Sequence, residues 1–310
     1  MNFSTLSDKL DGFDKHYRSE LKPVLDELEV KRKQASSIFF KVLSGLILIL
    51  VPLATVINDS DTNIFLAVGA FFICGYFYNN VRKVRKEAKQ QVLEELSKFL
   101  EIEYQVKPNS SVINDYKGLS LIPSYDEQTL EDGFAGIAEG VDFNLFEANL
   151  VNVSRDKDGK KSRTTVFRGL LAKFDFHKDF AGTTIIKNDM TGIGNFLTGW
   201  SNKGNRVKLE DPDFERKFEV YSTDQIEARY LLTPAFMERI LHLTRLLHVN
   251  KVRLAFDKGA LLMAFDRNKD SFEGGRGDLN DPSYVSNIIA DLSIIFDTVR
   301  KLKLDQKSKI

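Results

Sequence analysis

The sequence predicts an α+β protein made of an N-terminal amphipathic helix, a two-helix transmembrane hairpin and a mostly antiparallel α+β cytoplasmic domain that ends in a long helix. Three observations support this fold class. Two long apolar runs near the N-terminus carry basic residues on their outer flanks. Beyond residue 107, the segments that alternate in hydrophobicity follow one another as hairpins, which favours an antiparallel sheet. The strongest helical periodicity follows Asp281 and Pro282.

The overall composition conceals this division between lipid-facing and polar segments. The 310 residues include 44 Lys and Arg against 44 Asp and Glu, and the mean hydropathy is -0.23, as in an ordinary soluble protein. Nucleic-acid binding requires a basic excess, so we predict no nucleic-acid partner. One cysteine excludes a disulfide framework, a multi-cysteine zinc site and a CxxC redox motif.

Residues 1–37 are predicted to form a cytoplasmic amphipathic helix. Its 7 basic and 7 acidic side chains do not make a polybasic lipid-binding arm. We expect Pro23 to break or kink the helix, because proline lacks the backbone N–H that an interior position needs. One apolar stripe is predicted from residues spaced three or four apart: Phe3, Leu6, Leu10, Phe13, Tyr17 and Leu21.

Residues 38–81 are predicted to form the transmembrane hairpin, with spans at 38–57 and 62–81. A helix needs roughly 20 apolar residues to cross a bilayer, and the first span contains one charge, Lys41, near its start. The loop between the spans has no Lys or Arg, so the positive-inside rule places it outside and both termini in the cytoplasm. The basic flanks are Lys31, Arg32 and Lys33 on one side and Arg82, Lys83, Arg85, Lys86 and Lys89 on the other.

Residues 82–106 are predicted to continue the second span as a membrane-proximal helix. Its apolar positions recur every three or four residues, as on one face of a helix. Because this helix and the N-terminal helix start from the same membrane face, we expect them to pack as a short antiparallel coiled-coil stalk. The apolar positions are Val84, Ala88, Val92, Leu96, Phe99 and Leu100.

Residues 107–310 are predicted to form the cytoplasmic α+β domain. Its first half is predicted to be rich in strands, and a segment rich in Gly and Asn, Met190–Arg206, is predicted to be a mobile loop. Five strands are predicted there: Gly133–Gly140 and Val141–Ser154 as a hairpin, then Thr165–His177, Gly182–Lys187 and Phe218–Ser222.

The last third of the domain is predicted to alternate helix and strand. Ser222 and Gln225 resemble a capping box, and Thr233 before Pro234 indicates a second helix start. A hairpin is predicted about Lys258 and Gly259, joining strands Lys251–Asp257 and Ala260–Asp266.

The known catalytic motifs are missing. The glycines Gly192, Gly194 and Gly199 do not have dinucleotide-loop spacing. His242 and His248 lie six residues apart and would face different sides of a helix, while His16 and His177 have no partner in sequence. Surface or core positions are the simpler interpretation of all four. Cys74 lies inside the second span, where lipid disfavours a thiolate.

Two loops resemble ligand sites. Asp266, Asn268 and Asp270 resemble the start of a calcium loop, but Ser271 and Gly277 replace its required Gly and Glu. We interpret this stretch as a solvated turn. The loop Phe272–Asp278, with Arg276, has the glycines to cradle an anion, although a flexible linker is the simpler interpretation. We therefore assign no catalytic residue, metal ligand or cofactor.

Several phrases together resemble a known family. They are FDKHYRSELKPVLDELEVKRK before the spans, LSLIPSYDEQTLEDGFAGIAEG and LFEANL after them, then VFRGLLAKFDFHKDFAGTT and FEVYSTDQIEARYLLTPAFMERI. Their order resembles a bacterial membrane-protein family catalogued as a domain of unknown function, number 3137 in that series. The resemblance implies a bacterial source and a multi-pass protein of the cytoplasmic (inner) membrane. It implies no activity, substrate or catalytic residue.

Three functions remain open at this stage. The leading hypothesis is a non-enzymatic, membrane-anchored scaffold or interaction module, with the lipid bilayer and either another protein or a second copy as partners. The second is a membrane-tethered enzyme of unfamiliar design. The third is a subunit of an oligomeric channel or transporter, which the lack of ionisable residues at the span centres disfavours. An enzyme's site would be sought among Glu147, Asp175, His177, Asp224, Glu227 and Arg229.

Overall fold

The computed structural model describes residues 12–57, 59–138, 140–157, 159–175, 180–188, 204–246, 249, 251–267, 269–275 and 277–302. The described chain divides into two compact units. The helical unit contains residues 12–96 and 273–288, and the sheet unit contains residues 97–272 and 289–302.

The helical unit begins with a helix that contains Pro23 without breaking. Helix α1 (Phe13–His16) leads into a π-helical turn, Tyr17–Leu21, and then into α2 (Lys22–Val56). Proline lacks an N–H and its ring crowds the preceding turn, and a π-helical turn is one of the known ways in which a helix absorbs such a misfit. The break expected at Pro23 is therefore absent, because the helix continues through a widened turn just before the proline.

Helices α2 and α3 (Ser60–Phe99) contain the two apolar runs. Among the described residues, these two helices are long and apolar enough to cross a membrane. Their apolar side chains face outward: Leu48 is 75% exposed and Phe65 is 78% exposed. Exposure on this scale is not expected of a buried core helix in a soluble protein.

Contacts near the ends of the two helices show that they run antiparallel. His16 Nε2 lies 3.2 Å from Glu95 Oε2, and the ring centroids of Phe39 and Tyr78 are 5.7 Å apart. At the turn between the helices, the Asn63 side-chain amide donates to the Ile57 carbonyl at 2.9 Å. Buried positions on these helices include Leu21, Ala88, Val92 and Leu96, which the apolar periodicity predicts. Leu25, Leu28 and Leu93 are buried as well.

The sheet unit contains one antiparallel sheet, which in the described part of the chain has nine strands in the order β1-β2-β3-β4-β9-β8-β5-β7-β6. The α+β class is therefore confirmed. The predicted hairpins appear as β2 with β3 and as β8 with β9. The strands are β1 (Glu103–Gln105), β2 (Glu127–Ala138), β3 (Val141–Arg155), β4 (Lys161–Asp175), β5 (Thr184–Asn188), β6 (Asn205–Val207), β7 (Phe218–Ser222), β8 (Lys251–Asp257) and β9 (Ala260–Asp266).

Several strands differ from the prediction. Strand β1 was not predicted, and β2 starts at Glu127 rather than Gly133. Strand β4 starts at Lys161 rather than Thr165, because the polar residues before Thr165 still pair with β3. Strand β6 occupies the end of the segment that was predicted to be a loop, where Val207 is buried and pairs with Val220. The residues at the start of β4 and in most of β6 are polar, so alternating hydrophobicity could not reveal their pairing. The remainder of that predicted loop, residues 190–203, lies outside the described residues.

Both faces of the central sheet are covered. Phe167 and Leu171 lie on one face and Leu170 and Phe174 on the other, and all four side chains are almost fully buried. At Gly169 the β9 backbone comes so close that an added Cβ would lie 1.9 Å from the Phe265 carbonyl oxygen. Only glycine allows this approach between β4 and β9.

Most helices of the sheet unit start at identifiable caps, whereas the first of them continues the 3₁₀ turn Ser110–Ile113 and has no side-chain cap. The helices are α4 (Asn114–Gly118), α5 (Pro212–Lys217), α6 (Gln225–Leu231) and α7 (Pro234–Leu246), and the last described helix is α8 (Pro282–Leu302), which the helical unit shares. Thr233 accepts from the Phe236 amide at 3.3 Å, so the predicted cap of α7 is confirmed. The predicted capping role of Ser222 is wrong. That residue closes β7, and Asp224 caps α6 instead.

Candidate functional site

The most elaborate polar arrangement of the helical unit surrounds Glu29 on α2. We call it the helix-base cluster: Glu29, Arg32, Lys33, Arg85 and Lys89 around the segment 273–279. Glu29 is only 2% exposed although it is a carboxylate. Arg32 donates to both of its oxygens, at 2.7 and 2.6 Å, in a bidentate pair. The Leu279 amide donates a third hydrogen bond at 3.1 Å.

These contacts keep Glu29 ionised. Burial alone would raise the pKa of its carboxyl, but the hydrogen bonds from Arg32, the Leu279 amide and Lys33 together lower the pKa to about 2. Lys33 lies 3.4 Å from Glu29 and 3.3 Å from Asp278. A buried charge needs partners of this kind to offset its loss of hydration.

Helix α3 holds the same segment from its other side. Arg85 donates to the carbonyls of Gly275 and Gly277, at 3.3 and 3.1 Å. The Lys89 ammonium lies 2.7 Å from a Glu273 oxygen and is itself nearly buried. Burial, and secondarily the nearby Arg32, lowers the pKa of Arg85. The segment therefore meets α3 through its carbonyl oxygens and one carboxylate.

This geometry bears on the loop Phe272–Asp278, for which the sequence favoured a flexible linker over an anion cradle. The carbonyls of Gly275 and Gly277 are bound to the protein's own Arg85, and the carboxylates of Glu273 and Asp278 are bound to lysines. The described part of the loop thus supplies acceptors to internal cations. Arg276, which was to have completed the cradle, lies outside the described residues. The arrangement fixes the described part of this segment against α2 and α3.

The calcium-like stretch of the sheet unit is also occupied by internal contacts. Asp270 pairs with Arg168, and the Ser271 amide donates to buried Glu147 at 2.9 Å. Arg267 lies 2.6 Å from Asp291. An arginine paired with Asp270 is the opposite of what a Ca²⁺ ligand set requires. Asn268 lies outside the described residues, and among those described no group of three or more His, Cys, Asp and Glu side chains could hold a metal ion.

The acids proposed for an unfamiliar enzyme site lie far apart on the sheet, although two of them lie at or just after strand ends at the same edge. Asp175 pairs with Ala260 at the end of β4, and Asp224 follows the end of β7, four strands away. At about 4.8 Å per strand, these two positions are roughly 19 Å apart. Glu147 pairs with Leu170, five residues along β4 from Asp175, or about 17 Å. The sheet therefore spreads these acids over distances too long for one reacting centre.

Contacts within the fold account for the acids and the arginine near β7. Asp224 accepts from the Ile226 and Glu227 amides at 2.9 and 3.0 Å, which makes it a helix cap. Glu227 accepts from the amides of Ala181 and Gly182 at 2.7 and 2.8 Å. Arg229 donates to the carbonyl of Gln225, one turn back. His177 lies outside the described residues.

The histidines play no joint role in the described chain. His16 pairs with Glu95, and His242 is exposed on α7. His248 lies outside the described residues.

Sequence reasoning missed the helix-base cluster. Its signal was nonetheless present: Glu29 follows Leu25 and Leu28 on the apolar stripe, and Arg32 and Lys33 lie three and four residues further on. An acid on a buried face followed by bases at those spacings indicates a paired charge. The segment that joins it, 273–279, is distant in sequence and had no pattern to reveal the contact.

Comparison with known proteins gives a family and one structural likeness. Residues 165–304 match the model of a family described as "Protein of unknown function (DUF3137)", so the family resemblance seen in the sequence is confirmed there. No curated protein matches. Among solved structures, the chain is similar to the mycobacterial trehalose monomycolate transport factor A, TtfA, at 10% identity and a TM-score of 0.39, covering 70% of this chain and 95% of that one.

Proposed function

We propose that this chain, a member of the DUF3137 family through residues 165–304, is a membrane-anchored module whose α+β domain binds another protein or a second copy of itself. The observation that carries the proposal is the outward exposure of large apolar side chains along α2 and α3. Such surfaces are stable in lipid and are a liability in water. The sheet unit follows α3 directly in the chain, so it would remain tethered to the membrane.

The proposed anchor is a hairpin in the cytoplasmic membrane with both termini in the cytoplasm. The basic residues on the two outer flanks, and their absence from the loop between the spans, support this orientation. Ion pairs in the helix-base cluster support it as well, since they lie on the polar stretches of α2 and α3 beyond the apolar runs. Charges in those stretches need water or partners, which the cytoplasmic side supplies.

Orientation can be tested by cysteine labelling in whole cells. In a Cys74→Ser background, which removes the one cysteine, Ser60→Cys is expected to react with a membrane-impermeant maleimide. Lys157→Cys, on an exposed loop of the sheet unit, is expected to react after cell lysis only. Labelling of Lys157→Cys in intact cells, with protection of Ser60→Cys, would contradict the proposed orientation.

The hydrogen bonds that the candidate acids accept within the fold support a non-enzymatic role. Asp224 caps a helix, Glu227 binds two loop amides and Glu147 binds the Ser271 amide. Each of these contacts satisfies the fold itself.

The binding role can be tested by mass. The full chain would be extracted from its native membrane in a mild detergent, purified by an affinity tag and measured by mass photometry with the detergent subtracted. We expect particles heavier than one chain of 35.3 kDa, either as multiples of it or with a second polypeptide in fixed ratio. A uniform single-chain particle without a second polypeptide would refute the binding role while leaving the anchor intact.

A further inference from the structure

The basic residues that follow the second apolar run fall into two sets on α3. Arg85 and Lys89 are bound within the helix-base cluster. The other three, Arg82, Lys83 and Lys86, are exposed, and no hydrogen bond or ion pair engages them in the part of the chain that the structure describes. We call these three the headgroup patch.

Helical geometry places the headgroup patch on one side of α3. At about 100° per residue, Arg82, Lys86 and Lys83 point within roughly 100° of one another, and Arg85 and Lys89 point to the adjoining sector. The bound cations therefore occupy a sector that adjoins the patch, with Lys89 about 20° from Arg82 around the helix. Glu87 is the acid next to the patch along α3, and it acts on Lys31 of α2.

The height of the patch matches the polar layer of a bilayer. The Phe39 and Tyr78 rings, 5.7 Å apart, join the two helices at one level, and tyrosines are enriched where hydrocarbon meets headgroups. Arg82 lies about 6 Å and Lys86 about 12 Å along the helix from Tyr78. The headgroup layer extends roughly 5–8 Å beyond the hydrocarbon on each side, within reach of these long side chains.

The corresponding cations on α2 are already neutralised. Lys31 lies 2.8 Å from Glu27, Arg32 pairs with Glu29, and Lys33 lies within 3.4 Å of both Glu29 and Asp278. Surplus positive charge at this level is thus concentrated on the headgroup patch. Three unpaired cations within one turn and a half of helix, beside an apolar surface, form a surface complementary to phosphate diesters that carry a net negative charge.

We propose that Arg82, Lys83 and Lys86 bind the headgroups of anionic phospholipids, so that the protein gathers an anionic lipid shell around α3. This inference rests on the proposed membrane anchor. Near a membrane surface, each basic residue contributes about fivefold in affinity, the equivalent of about 1 kcal/mol. Salt weakens the attraction, because the Debye length falls from about 10 Å at 0.1 M to about 3 Å at 1 M.

The test uses the full chain in vesicles of phosphatidylcholine with a minor fraction of spin-labelled phosphatidylglycerol or spin-labelled phosphatidylcholine. Electron spin resonance then gives the relative association of each lipid with the protein. We expect a several-fold preference for phosphatidylglycerol in the wild type, which falls to near unity in R82Q/K83Q/K86Q and in the wild type at 1 M salt. Both leaflets have the same composition, so an inverted orientation does not affect the measurement.

Two further variants keep the result specific. R82K/K83R/K86R preserves the charges and is expected to retain the preference. K157Q/K160Q/K161Q removes three cations from an exposed part of the sheet unit and is also expected to retain it. Equal preference in the wild type and R82Q/K83Q/K86Q, or equal loss in the sheet-unit variant, would overturn the proposal.

Failure of the anchor itself has a different signature. A chain that separates from the vesicles in a density gradient would refute the proposed membrane function and this inference together. A chain that stays with the vesicles but shows no lipid preference would refute the headgroup patch alone.

Discussion

Glu29 is a buried carboxylate that basic residues of the helical unit surround. It is almost fully buried, yet three hydrogen bonds and a nearby lysine keep it ionised. Because the pKa of Glu29 is lower in the folded chain than its ordinary value of 4.5, the unfolded chain binds more protons between those two values. The stabilisation is therefore complete above about pH 4.5 and is lost as pH falls toward 2.

Replacing Glu29 with Gln should reveal this pH dependence. A pKa shift of this size corresponds to about 3 kcal/mol, so Glu29→Gln is expected to lower the local opening free energy by about 2–3 kcal/mol at neutral pH. The measurement is hydrogen exchange at the Leu279 amide, corrected for the intrinsic rate. The difference between wild type and variant should shrink below pH 4.5.

A matched control is Glu27→Gln, whose carboxylate is exposed and pairs with Lys31 on the surface. It is expected to leave exchange at Leu279 unchanged. A wild-type advantage that persisted undiminished at pH 3 would show that Glu29 acts through something other than its charge.

Gly274 and Gly277 form a natural pair for a second experiment. Gly274 has φ of +64°, and an added Cβ would lie 2.5 Å from the Tyr284 ring, whereas nothing lies within 4 Å of a Cβ at Gly277. Gly274→Ala should therefore cost about 1–3 kcal/mol in local opening of residues 273–281, and Gly277→Ala little. Hydrogen exchange of this segment distinguishes them, and equal behaviour of the two variants would contradict the packing described.

At the scale of elements, a helix start could be predicted from the sequence where the capping residue does not also take part in a strand. Thr233 caps α7 as expected, because its hydroxyl accepts from the Phe236 amide. Ser222 was expected to cap α6, but its hydroxyl lies 2.9 Å from Thr184 Oγ1, across the strand pairing of β5 and β7. The strand uses that residue first, so the cap moves two positions on, to Asp224.

Asp224→Ala tests whether this acid is structural. Loss of its two cap hydrogen bonds should destabilise the sheet unit by about 1 kcal/mol, whereas Asp224→Asn should be close to neutral, since Asn caps equally well. Thermal unfolding of the detergent-solubilised chain reports both. A large effect of Asn with none of Ala would point away from capping and toward a role for the charge.

Elements that depend on contacts with distant segments could not be predicted from the sequence. The hairpins β2–β3 and β8–β9 carry their own turns, so their partners are adjacent and their patterns suffice. Strand β6 is three residues long and has one buried side chain, Val207, so it depends on β7 for its identity. The π-helical turn before Pro23 likewise has no signature beyond the proline itself.

At the scale of the molecule, the average composition conceals the two apolar runs, whereas the order of residues along the chain reveals them. The two apolar helices could be predicted because a bilayer imposes a length and a hydrophobicity that few other environments require. The helix-base cluster could not, since it joins residues about 250 positions apart, Glu29 and Leu279. The coiled-coil character of the stalk, the domain limits at 37, 81 and 106 and the identity of a partner stay predictions.

Leu48, near the middle of the first predicted span, offers a test of the anchor. Leu48→Lys should disfavour insertion by about 3 kcal/mol, because lysine at the centre of a spanning helix is costly. Leu48→Ala, which removes bulk without charge, is the control and should insert. The protein fraction that remains in membranes after alkaline carbonate extraction is the readout. Equal retention of both variants would argue against a span at this position.

The turn between α2 and α3 has a consequence for the fate of the chain in a living cell. Asp59 accepts hydrogen bonds from Thr62, and Asn63 ties back to Ile57, so the described residues at this tip are folded against each other. Exposed loop tips are ordinarily where proteases nick a chain. With this tip on the outer side, as proposed, a protease added to intact cells meets described residues that are hydrogen-bonded to each other, and we expect the polypeptide to survive at full length.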